Sequence, residues 1–132
     1  MSDENRPAAG SIAWCDLTVG DADTIRDFYA AVVGWKSKPH DMGGYADYEM
    51  QRPGAGDSSV AGICWARGVN ADIPPQWMIY VVVADVEAAV RTCKERGGHA
   101  VTPIKGDETS GRACVIQDPA GAVLTLYQVG KG

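Results

Sequence analysis

The chain runs through the same order of events twice. Val19-Gly20-Asp21 ends one strand pattern and opens a helix, and Val83-Ala84-Asp85 does so again at an offset of 64 residues. Residues 11–19 (SIAWCDLTV) and 76–83 (QWMIYVVV) precede these anchors with the β-branched and aromatic content of strands. An aspartate after such a run is a natural helix N-cap, because its carboxylate accepts from the free amides of the first turn. Ile25, Phe28, Tyr29 and Val32 then recur at helical spacing as one apolar face, closed by Gly34. Val86, Ala89, Val90 and Cys93 form the second face, ended by Gly97-Gly98. Further strands are predicted at 45–50 and 60–66, then at 100–104, 112–117 and 122–128. Residues 36–44 read as a loop, 53–58 and 105–111 as turns, and Asp118-Pro119-Ala120-Gly121 as a tight turn. The pattern predicts an α+β domain over residues 11–128, built of two βαβββ half-units at 11–66 and 76–128 with a linker at 67–75. Each helix covers the outer face of its mixed sheet, and the other faces curl around a shared cavity. Residues 1–10 are expected to be a disordered lead-in and 129–132 a tail.

Composition narrows the partners. Seventeen acidic against twelve basic residues give a formal net charge of -5, which argues against nucleic acid and anionic membrane surfaces as partners. No apolar run reaches the ~20 residues of a membrane span, and the opening MSDENRPAAG has no secretory apolar region, so a cytoplasmic location is expected. Cys15, Cys64, Cys93 and Cys114 sit in apolar segments without a zinc-type spacing and are expected to be free thiols that pack as small hydrophobes. No phosphate loop, dinucleotide fingerprint or Ser-His-Asp arrangement is present in the sequence.

The segments WCDLTVGDADTIRDFYAAVVGW, WMIYVVVADVEAAVRTCKERGG and GRACVIQDPAGAVLTLYQ resemble the vicinal oxygen chelate superfamily, which includes glyoxalase I, bleomycin-resistance proteins and extradiol dioxygenases. The resemblance implies the paired βαβββ architecture, but a fold that hosts many chemistries does not name one. It also implies a place for a divalent metal, with one ligand from the first and one from the last strand of each half. These positions fall on Trp14, on Met78, on Thr125 and on one residue within 64–66. Tryptophan cannot bind a hard cation, methionine is soft, and a lone threonine is a poor ligand, so no metal and no cofactor are expected. A noncanonical set of Asp16, Glu49 and Cys64 is the open alternative. Sequestering relatives imply a homodimer.

Strand alternation supplies the candidate site. If Leu17 and Val19 face the helix, then Trp14, Asp16 and Thr18 face the other way. The same reasoning points Met78, Tyr80 and Val82 inward in the second half, along with Val123, Thr125 and Tyr127 on the last strand. Asp16 is the candidate catalytic residue: a carboxylate there either acts as acid or base, or is a structural acid bonded to Arg112, Tyr80 or a backbone amide. Trp14, Thr18, Met78, Tyr80, Arg112, Thr125 and Tyr127 are the candidate ligand-binding residues, with Arg112 able to pair with an anion. Two readings follow. One is a metal-independent small-molecule-binding protein that holds a flat or amphipathic ligand in an aromatic-lined cavity. The other is an enzyme of the same superfamily, a lyase or dioxygenase-like protein that uses Asp16 or an atypical metal site.

Overall fold

Asp21 and Asp85 open the two helices as their spacing predicts. Each caps its helix through its own carboxylate, Asp21 Oδ1 accepting from the Thr24 amide at 3.1 Å and Asp85 Oδ1 from the Ala88 amide at 3.2 Å. In this computed structural model, residues 6–54, 56 and 58–131 are described. Their order is β1 (Ile12–Val19), α1 (Ala22–Val33), β2 (Lys36–Asp41), β3 (Ala46–Gln51) and β4 (Ser59–Trp65) in the first half. The second half follows with β5 (Trp77–Val82), α2 (Val86–Glu95), β6 (His99–Ala100), β7 (Lys105–Asp107), β8 (Gly111–Gln117) and β9 (Val123–Gln128). The α+β class and the strand–helix–strands repeat therefore hold, and no helix among the described residues is long and apolar enough to cross a membrane.

The chain divides into two compact units. The first is Trp14–Trp77 and the second is Met78–Gly132 with Met1–Ala13. In the first unit β1 pairs in parallel with β4, β4 antiparallel with β3, and β3 antiparallel with β2. Leu17, Ala22, Tyr48, Met50 and Ile63 form its core, with Ile25, Tyr29 and Trp35 packed against them. In the second, β5 pairs in parallel with β9, which pairs antiparallel with β8. Val86, Val90, Cys114 and Leu126 form the core beneath α2.

Several details differ from the sequence reading. Residues 36–41 are strand β2 and not loop; every residue of it is exposed, and it carries Pro39, which an edge strand tolerates because one row of its amides needs no partner. Phe28 and Val32 share the helical spacing of Ile25 and Tyr29, yet they are 53% and 64% exposed. The first five residues of the expected disordered lead-in lie outside the described residues. From Arg6 onward the chain takes part in the fold, with the Gly10 amide donating to Val82 O at 2.7 Å. Part of the expected tail does so as well, the Lys131 amide donating to Glu108 O at 2.7 Å.

Candidate functional site

On β1 the side chains alternate as expected: Leu17 goes to the core under α1, while Trp14 and Asp16 line a cavity of about 460 Å³. The remaining walls come from His40 and Met42 at the end of β2, from Asp47, Tyr48 and Glu49 on β3, and from Gly62 and Cys64 on β4. All nine lining residues belong to the first unit.

The register explains the convergence. Gly62 on the middle strand stands opposite Asp16 on one side and opposite Glu49 on the other, so these positions share one face. The Trp14 indole N–H donates to Asp16 Oδ1 at 2.6 Å, a short bond that the carboxylate charge strengthens. That pair occupies the space a side chain would fill on Gly62: a Cβ built there would stand 2.1 Å from Asp16 Oδ1 and 3.5 Å from Trp14 Nε1. Glycine at this position is a condition of the Trp14–Asp16 contact.

Cys64 Sγ lies 3.9 Å from Asp16 Oδ2. Burial, and then the negative charges of Asp16 and Asp47, push this thiol well above the ordinary range, so it is a neutral thiol at physiological pH. Such a group is a poor nucleophile. Its surroundings are thus more polar than those of a packing cysteine, which corrects the expectation drawn from its apolar segment. Cys114, with no exposed surface, does pack in the core. The Asp47 carboxylate accepts from the Trp65 amide at 3.0 Å, and Glu49 accepts from the Ser59 hydroxyl at 3.0 Å.

The other candidates are placed as follows. Thr18 is 7% exposed and stands in register with Cys64. Met78, Tyr80, Thr125 and Tyr127 come together on β5 and β9 of the second unit. There Thr125 Oγ1 donates to Met78 Sδ at 3.1 Å, and the two tyrosine rings lie 6.4 Å apart. Arg112 is placed elsewhere. It reaches from β8 to Glu87 on α2 at 2.6 Å, on the side where Cys114 packs under the helix. Asp16 accepts from Trp14, a neighbour on its own strand. Sequence reasoning passed over His40, Met42 and Asp47. Glu49 and Cys64, offered as site residues only in the metal alternative, line the same cavity as Asp16.

The metal positions implied by the resemblance can be tested against this register. Thr125 pairs with Tyr80, and Tyr80 corresponds to Asp16 at the offset of 64, so the counterpart of Thr125 is Gly62 and not a residue within 64–66. Trp14, Gly62, Met78 and Thr125 do not fit a divalent metal, since none offers a carboxylate or imidazole. Among the described residues no group of three or more His, Cys, Asp or Glu side chains is arranged to hold one.

Residues 11–126 match the sequence family described as the Glyoxalase/Bleomycin resistance protein/Dioxygenase superfamily. A Mycobacterium tuberculosis protein named "Putative glyoxylase CFP32" is 30% identical over 123 residues, covering 92% of this chain and 47% of its own length. The anthracycline biosynthesis protein DnrV of Streptomyces peucetius is 31% identical over 123 residues, covering 93% of this chain and 43% of its own length. The chain thus spans about half the length of the curated relatives it matches. Among solved structures, a superfamily member from Vibrio splendidus 12B01 superposes with a TM-score of 0.56 at 14% identity, over 87% of this chain and 96% of that one. Methylmalonyl-CoA epimerase from Mycobacterium tuberculosis superposes with a TM-score of 0.51 at 19% identity, over 94% and 93%. These likenesses establish the fold. With its family match and its repeated strand–helix–strands units, the chain belongs to the glyoxalase/bleomycin resistance protein/dioxygenase superfamily.

Proposed function

We propose that the chain is a metal-independent small-molecule-binding domain that holds a flat or amphipathic organic ligand in the Trp14 cavity. One observation carries this reading: the Trp14 indole is fixed by Asp16 beside a glycine floor, within a cavity of about 460 Å³. Such a volume suits a small organic molecule, and an aromatic wall with a few placed polar groups is the usual make-up of such sites. A tryptophan whose rotamer is already fixed loses little freedom when a planar ligand stacks on it. Two curated relatives carry names from anthracycline biosynthesis, which accords with a role in handling planar molecules.

The test is a thermal-shift and tryptophan-fluorescence screen of planar aromatic compounds in the presence of a chelator, on the wild type and on Trp14→Ala. The reading expects saturable binding that Trp14→Ala abolishes. Binding that survives Trp14→Ala unchanged would place the ligand elsewhere.

An enzymatic reading has one observation in its favour, the Asp16 carboxylate lining the cavity, and a relative whose name mentions glyoxylase. Asp16→Asn separates the two. Turnover by an acid–base residue would collapse by several orders of magnitude, whereas ligand binding would weaken only modestly. A homodimer is the assembly we propose, supported by the exposed Phe28, Val32 and Val33 side chains of α1 and checked by sedimentation equilibrium.

A further inference from the structure

We infer that the ligand of the Trp14 cavity is an organic cation, a protonated amine on a planar ring system, seated against the Asp16 carboxylate and Glu49. This rests on the binding reading above and adds the charge and the seat of the ligand.

The seat follows from three strands in register. Asp16, Gly62 and Glu49 stand side by side on β1, β4 and β3. Neighbouring strands are about 4.8 Å apart, so the two outer backbones are separated by roughly 10 Å, and the middle one contributes no side chain to fill the gap. Two carboxylates therefore flank the Gly62 position on one face of the sheet. Asp16 Oδ1 and Trp14 Nε1 take up the space over Gly62 itself, so a ligand sits against this pair and Glu49 in the same cavity. The Trp14 indole held beside Asp16 lines the same cavity, and an indole ring is a surface on which organic cations are bound.

The charges point the same way. Among the described residues the lining carries Asp16, Asp47 and Glu49 but no lysine or arginine, and His40 is its one basic side chain. Glu49 and Asp47 accept from a hydroxyl and a backbone amide, neutral donors that fix each carboxylate's direction without cancelling its charge. Lys38 stands opposite Glu49 on β2, but it is exposed and forms no ion pair with it among the described residues. Cys64 adds no charge, being held as the neutral thiol. An anionic ligand entering this space would face like charges. A protonated amine donates charge-assisted hydrogen bonds to these carboxylates and gains a ring contact with Trp14.

The experiment compares two planar tricyclic probes on the full chain by equilibrium fluorescence titration: 9-aminoacridine, a cation, and anthracene-9-carboxylate, an anion. Each is titrated against the wild type, Glu49→Gln, Asp47→Asn and Trp14→Ala, with circular dichroism confirming that each variant is folded. The two amide variants keep the acceptor oxygens that the Ser59 hydroxyl and the Trp65 amide use. The cation is expected to bind at least about tenfold tighter than the anion, as one charge-assisted hydrogen bond would give. Glu49→Gln should weaken the cation by about tenfold and leave the anion unchanged or tighter. Anion binding equal to or tighter than cation binding, with both lost in Trp14→Ala, would overturn the charge assignment while the cavity reading stands. Cation binding that is indifferent to both Glu49→Gln and Asp47→Asn would do the same. Failure of both probes to bind, or binding indifferent to Trp14→Ala, counts against the cavity reading and this inference together.

Discussion

The Trp14 indole N–H donates to Asp16 Oδ1 at 2.6 Å across two residues of one strand, in the space that Gly62 leaves for them. Residues two apart on a strand share a face, so this contact needs no long-range luck. What it needs is a neighbour without a side chain.

Trp14→Phe keeps the ring and removes the donor. Asp16 would lose the indole donor in a part-buried setting, and a hydrogen bond to a charged group is worth roughly 1.5–3 kcal/mol. Urea denaturation should show a loss in that range with an unchanged slope. A loss below about 0.5 kcal/mol would mean that solvent replaces the indole at no cost.

Gly62→Ala tests the floor. The backbone of Gly62 is not in the left-handed region, so the added methyl is opposed by the Asp16 carboxylate and not by its own conformation. Displacing that carboxylate should cost about 1–3 kcal/mol, the range for overpacking. The Gly62→Ala, Trp14→Phe double variant should lose less than the sum of the single changes, because both act on one contact.

Cys64 gives a pH dependence. Burial first, then Asp16 and Asp47, raise its thiol above the ordinary value of 9.0, and Cys15 and Cys114 are raised too, chiefly by burial. The unfolded chain therefore releases these protons at a lower pH than the folded one. Above the ordinary thiol value the unfolded state binds fewer protons, so stability falls as pH rises, and it is unaffected by these groups at neutral pH. Denaturant melts from about pH 8 to pH 10 should show this decline in the wild type, and Cys64→Ser should make it shallower. An identical slope in Cys64→Ser would mean that the thiol is not raised.

Arg112→Ala separates the two placements of that residue. Its partner Glu87 is largely exposed, and such pairs are worth about 0–1 kcal/mol. The variant should melt within that margin of the wild type and bind planar probes as tightly. A large loss of affinity would return Arg112 to the ligand site.

How much of this was legible depends on which residues carried a pattern. Trp14 and Asp16 follow from alternation on β1 once Leu17 is assigned to the helix side. The same alternation on β3, with Tyr48 and Met50 buried, would have placed Asp47 and Glu49 on the cavity face. Arg112 was also legible: Cys114 and Ile116 pack under α2, which puts Arg112 on that side. His40 and Met42 were not, because β2 is an exposed edge strand with no apolar period. Nor was Gly62. Which residue of β4 faces Asp16 is a matter of register between distant strands, and that is set by packing rather than by either strand's own sequence. Exposure of Phe28 and Val32 was hidden for a related reason, since helical spacing marks a face without saying whether anything covers it.

Metal independence is the claim on which the functional reading turns. Metal content of the purified chain by mass spectrometry, paired with thermal melts with and without manganese, iron, nickel and zinc, tests it most directly. With Trp14, Gly62, Met78 and Thr125 at the four positions, the account predicts substoichiometric metal and no stabilising shift with any of the four ions. A stoichiometric metal, or a melting temperature raised by several degrees with one ion, would contradict it and put the enzymatic reading first.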